Sequence, residues 1–104
     1  MKIIWLPRAI RHRDNIYKYY YKKSPQAAIK LYNDLLDSVD PLKDHPNMAA
    51  IEPLVSDSSD TYRSLVVRDN YKVVYYIDND IIYISAVWDC RQNPKKLKGK
   101  LKEK

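Results

Sequence analysis

Between Tyr62 and Trp88 the chain carries three β-rich runs, Tyr62–Val67, Tyr71–Asp78 and Ile81–Trp88. They are parted only by Arg68-Asp69-Asn70 and by a turn centred on Asn79-Asp80. Parallel neighbours need a crossover of about a dozen residues or more, so connections this short force an antiparallel meander. In the middle run Tyr71, Val73, Tyr75 and Ile77 share one face, and Lys72, Val74 and Tyr76 share the other. Neither face is plainly polar, so cover is expected on both: helices on one, a tail or partner on the other.

The helices are found upstream. Lys2–Leu6 is a β-branched and aromatic run stopped by Pro7, which suits a first strand. From Pro7 to Lys22 the apolar positions Ala9, Ile16 and Tyr20 return on a helical period, with a basic remainder. Ser24-Pro25 then supplies an N-cap and a proline at the first helical position, where its missing N–H is not needed. In the helix that follows, Ala28, Leu31, Leu35, Val39 and Leu42 step by three or four and form one apolar stripe that a sheet would cover. Pro41 and Asp44-His45-Pro46-Asn47 blur its end, and residues 44–61 read as a long connection rich in Asp, Ser and Pro. The expected fold is α+β: a short N-terminal strand and a two-helix hairpin packed on a C-terminal antiparallel meander, in a single domain spanning residues 1–104 with a basic tail from about residue 92.

Composition excludes several chemistries. Cys90 is the sole cysteine, which rules out an intrachain disulfide and a zinc site built from cysteine pairs, and points to a reducing compartment. Gly99 is the sole glycine, so neither a P-loop nor a dinucleotide fingerprint is present. Asp78 and Asp80 do not begin a calcium loop, because Ile82 and Tyr83 stand where a third oxygen ligand and the glycine belong. His12, His45 and Cys90 follow no metal-ligand spacing, and no cofactor is expected. No apolar run reaches the length of a membrane span or a signal peptide, so a cytoplasmic protein is expected. The chain has no Phe but ten Tyr and two Trp, so the aromatic part of its core comes from rings whose polar tips want water or a partner.

The net charge of +6 is segregated. Residues 1–23 hold seven cations and one acid, and residues 91–104 hold the same. Residues 24–60 hold two cations and seven acids, and residues 61–90 hold three and four. Basic ends favour an acidic or nucleic-acid partner through counterion release, whereas the run Lys95, Lys96, Lys98, Lys100, Lys102 and Lys104 also fits a plain solvated tail.

The order strand, helix, helix, acidic connection, meander and basic tail resembles the RelE/ParE family of bacterial toxins from type II toxin–antitoxin modules. The resemblance is carried by Tyr62-Arg63 opening the meander, by Tyr71-Lys72-Val73-Val74-Tyr75-Tyr76-Ile77 in its middle, and by Ile84-Ser85-Ala86-Val87-Trp88-Asp89-Cys90-Arg91-Gln92-Asn93-Pro94 at its end. It implies a small α+β toxin held inactive by an antitoxin. One branch of the family cuts mRNA in the ribosomal decoding site, and another poisons DNA gyrase without nuclease activity.

In the nuclease branch basic residues at positions resembling Arg63, Lys72 and Arg91 are catalytic, and these three are expected to converge on one edge or face of the sheet. Arginine clamps phosphate but is no practical base, so Lys72 would have to accept the proton. Arg63 and Lys72 also fit a solvated cross-strand pair. Two departures favour the non-cleaving gyrase inhibitor: no tyrosine or histidine follows Tyr83, and one strand lysine of that branch is replaced, apparently by Leu65. The mRNA endoribonuclease is the alternative, and a non-toxic basic nucleic-acid-binding module is the second. Candidate target-binding residues are Arg68, Tyr76, Trp88, Lys95, Lys96 and Lys98. Tyr76 and Trp88 share an outward face that could stack on bases or pack as core, while Trp5, Tyr75 and Tyr83 are expected in the core.

Overall fold

The computed structural model describes residues 1–53 and 61–91. The elements run β1 (Lys2–Trp5), α1 (Pro7–Tyr21), α2 (Pro25–Val39), a 3-10 turn (Asp40–Lys43), β2 (Ala50–Ile51), β3 (Arg63–Val67), β4 (Tyr71–Asp78) and β5 (Ile81–Asp89). The strands form one sheet in the order β1-β5-β4-β3-β2. The meander β3-β4-β5 is antiparallel throughout.

Two features go beyond the sequence expectation. β1 lies parallel to β5, with Ile3 opposite Ile82 and Trp5 opposite Ile84, so the sheet is mixed. The α1–α2 hairpin is the crossover that makes this parallel pairing possible. The segment read as one connection also contributes β2, which pairs with β3 through Ala50–Ser64 and Ile51–Arg63. A two-residue strand leaves no periodic trace in the sequence.

Helix α1 opens on Pro7. Helix α2 is capped by Ser24, whose Oγ accepts the Ala27 N–H at 3.3 Å. The α2 stripe Ala28, Leu31, Leu35 and Val39 is buried, as is Leu42 beyond it. Leu31, Leu35, Val39 and Leu42 pack on Val73, Tyr75, Ile82, Ile84 and Val87 of the sheet, joined by Ala9 of α1. His12 fastens α1 to β5, its Nδ1 accepting the Val87 N–H at 3.1 Å. Both hairpin turns use left-handed backbone: Arg68 and Asp69 have φ of 53° and 61°, and Asn79 and Asp80 have 49° and 64°. Between Val74 and Tyr75 the register with β5 slips, passing from Val74–Ala86 to Tyr75–Ile84, so Ser85 is the extra residue of a β-bulge.

The second face of the meander carries its own small cluster, in which Tyr62, Val74, Ala86 and Trp88 are buried and Tyr76 packs against them. Among the described residues no helix is long and apolar enough to cross a membrane.

Candidate functional site

Register decides where each cation points. Arg63 is opposite Tyr75 and so shares the helix-covered face with Leu65 and Val67. There its Nη1 donates to the Ala49 carbonyl at 2.7 Å and, at 3.4 Å, to that of Asn47. Lys72 alternates with Tyr71 and Val73 and lies directly opposite Trp88, which puts it on the second face. Its Nζ donates to both carboxylate oxygens of Glu52, at 2.7 and 3.0 Å. Arg91 lies past the end of β5, where Nε and Nη2 grip the two oxygens of Asp89 at 2.9 and 2.8 Å. Asp89 pairs with Tyr71, four residues along β4 from the partner of Arg63, a separation of about 13 Å at strand rise.

The expected convergence of Arg63, Lys72 and Arg91 is therefore corrected. A meander two residues out of phase keeps side chains on one face, but Arg63 and Lys72 differ by an odd step in the ladder, so they emerge on opposite faces. Nor are Arg63 and Lys72 a solvated pair: each has its own partner within the protein.

The partner of Lys72 is a residue that sequence reasoning missed. The Glu52 side chain is fully buried, and it also accepts the Ser64 hydroxyl at 3.1 Å. Its backbone N–H continues the β2–β3 ladder by donating to the Tyr62 carbonyl at 2.8 Å. A lysine placed between apolar strand neighbours implies a counterion, and that was the only signal available; nothing local marked Glu52 among the acids of the connection.

Of the binding candidates, Arg68 is bound to α2, with Nε and Nη2 at 2.7 and 2.6 Å from Asp34 Oδ2. Tyr76 sits between two rings, edge-on to Tyr62 at 5.3 Å and stacked on Tyr83 at 5.2 Å. Trp88 is 1% exposed, so its outward-facing alternative is corrected: the strand does present it to the second face, but the ring packs against Tyr62, Val74 and Tyr76. Tyr75 is core as expected, while Trp5 and Tyr83 are partly exposed. Lys95, Lys96 and Lys98 lie outside the described residues.

Arg91 instead joins a cleft of about 510 Å³ between the C-terminal half of α1 and the adjoining ends of β4 and β5. Asn15, Ile16, Tyr19, Tyr20 and Lys23 line its helix side, and Tyr71, Asp89 and Arg91 its sheet side. The Tyr71 hydroxyl donates to that of Tyr20 at 3.1 Å, and Lys23 Nζ donates to the Tyr19 hydroxyl at 2.8 Å. The hydrogen bond from Tyr71, then one from Arg91, holds the Tyr20 hydroxyl below the usual tyrosine range. Burial first, and donation to Tyr20 second, push Tyr71 up. The Arg91 fork holds the Asp89 carboxyl below the usual carboxylate range. Among the described residues no group of three or more His, Cys, Asp or Glu side chains is placed to hold a metal ion.

Two helices over one face of a five-stranded mixed sheet match the architecture of ParE/RelE-like toxins. The family model for the ParE toxin of the type II toxin–antitoxin system parDE matches residues 3–94, and the chain belongs to that family. Among solved structures, one described as the chromosomal ParDE TA system from P. aeruginosa is 24% identical, covering 86% of this chain and 95% of its own, with a TM-score of 0.72. The YoeB dimer from Staphylococcus aureus is 26% identical over 83% of this chain and 92% of its own, with a TM-score of 0.47. No curated protein matches the sequence significantly.

Proposed function

We propose that this toxin arrests growth by binding rather than cleaving, as an inhibitor of DNA gyrase, and that a cognate antitoxin keeps it silent. One observation carries the reading: Arg63, Lys72 and Arg91 are dispersed over two faces and two ends of the sheet, each with an internal partner. Cleavage through a 2′-hydroxyl needs a base, charge stabilisation and an acid around a single phosphate. An ammonium that spends two hydrogen bonds on a buried carboxylate is a poor base, and Arg91 is held by Asp89 in the cleft beside α1, on the face opposite Lys72. Membership of the ParE family supports the same reading. For the antitoxin, the exposed apolar side chains of Met48 and Ile51 at the edge strand β2 offer a docking place, where an amphipathic segment could bury them.

The test is induced expression with and without the adjacent antitoxin gene, followed by two assays on the purified toxin. Growth arrest relieved by the antitoxin, with loss of gyrase supercoiling and no new mRNA 5′ ends in primer extension, is the expected result. Untouched supercoiling together with cleavage of ribosome-bound mRNA overturns it in favour of the endoribonuclease. Salt-sensitive nucleic-acid binding without growth arrest would point to the plain binding module.

A further inference from the structure

The cleft between α1 and the β4–β5 end is furnished almost entirely with unused hydrogen-bond donors. The Tyr20 hydroxyl oxygen already accepts from Tyr71, which leaves its own proton to point into the cleft. The Tyr19 hydroxyl accepts from Lys23, which frees its proton in the same way. Of the five guanidinium donors of Arg91, two are spent on Asp89. Lys23 retains two of its three. The one carboxylate present, Asp89, is already gripped on both oxygens. Apart from the Asn15 amide the lining offers mainly donors, which is complementary to an oxyanion.

The surroundings narrow the choice of oxyanion. Its lining holds two cations, Lys23 and Arg91, against the single acid Asp89, and the exposed Lys18 of α1 and Lys22 just past it add positive charge to this end of the molecule. That excess outweighs the negative end of the α1 dipole, whose terminal Tyr20 carbonyl is in any case occupied by the N–H groups of Lys23 and Ser24. Tyr19 is 56% exposed and adds a ring at the rim, which an acidic peptide would leave idle but a nucleobase can stack on. We infer that this cleft is a phosphate site for a single strand of nucleic acid, with the phosphate held by Lys23, Arg91 and the Tyr20 hydroxyl while the neighbouring base lies on Tyr19. The inference does not rest on the gyrase proposal, and its readout is binding alone.

The experiment is fluorescence anisotropy of a labelled oligothymidylate against the full chain over a salt series. It compares Lys23→Gln and Tyr20→Phe with Lys43→Gln, which removes an equal charge from the 3-10 turn; circular dichroism melts establish that each variant is folded. Losing a hydrogen bond to a charged group should weaken binding by about tenfold in each cleft variant. Lys23→Gln should also lower the slope of log affinity against log salt by about one. Lys43→Gln should change affinity by less than about twofold, because an exposed charge outside the site acts only through the screened field. Since Lys23 is exposed at the helix end, its variant keeps the test decisive if Tyr20→Phe melts early. Cleft variants no weaker than Lys43→Gln overturn the site. If inorganic phosphate or a glutamate-rich peptide shifts the Tyr20 and Lys23 amide resonances while the oligonucleotide does not, the nucleic-acid assignment is overturned.

Discussion

Lys72 illustrates how one side chain can be located from sequence and still be misread. Its strand, its face and its neighbours Val73 and Val74 follow from a period of two, but its chemistry depends on Glu52, which reaches it through a two-residue strand in a segment with no periodic signal. The carboxylate is fully buried and its oxygens are filled by Lys72 and Ser64. Removing one member of such a pair leaves an uncompensated buried charge, whereas replacing both with apolar groups of like volume can be neutral. Lys72→Met should therefore cost about 3 kcal/mol, read from urea unfolding, and Lys72→Met with Glu52→Leu should regain most of that loss. If the double variant proves as unstable as the single, the ion pair is not the source. Arg63 behaves differently, since it donates to the carbonyls of Asn47 and Ala49 and so pins the approach to β2; Arg63→Ala should cost about 1.5–3 kcal/mol with no partner substitution able to restore it.

At the scale of elements, what could be read was what repeats. The α2 stripe and the three meander strands each carry a period over many residues, and all were placed from it. β1 was recognised as a strand, but its parallel pairing with β5 was not, because nothing in Lys2–Trp5 specifies a neighbour about eighty residues away. The turns were legible from Asn and Asp, which tolerate positive φ better than other non-glycine residues. Asn79-Asp80 closes a two-residue hairpin with both φ positive, the geometry in which Asn-Gly is strongest. Asp80→Gly should therefore stabilise the protein by about 0.5–1 kcal/mol, raising the melting temperature by roughly 3–6 °C. Arg68→Gly relieves similar backbone strain but severs the pair with Asp34, so its net gain should be smaller. A melt in which Asp80→Gly lowers stability would contradict the turn assignment.

For the molecule as a whole, using Tyr in place of Phe throughout the core makes the fold sensitive to alkaline pH. Tyr75 is fully buried and donates its hydroxyl to the Pro46 carbonyl at 2.8 Å, and burial pushes its pKa up. Tyr71 is raised for the same leading reason. A tyrosine is neutral when protonated, so a folded value above the unfolded one, about 10, means that the fold prefers the protonated form. Its contribution is complete below that pH and is lost as pH climbs from the unfolded towards the folded value. Tyr20 has the opposite sign, its lowered value favouring ionisation in the folded state, and so opposes part of this loss. Urea midpoints should thus hold steady up to about pH 10 and fall beyond it, while tyrosinate absorbance shows Tyr20 ionising early and a buried class ionising only on unfolding. Tyr75→Phe removes both the titrating group and the bond to Pro46, so it should be less stable at neutral pH yet lose stability less steeply above pH 10. A variant with an unchanged alkaline slope would place the pH dependence in some other group.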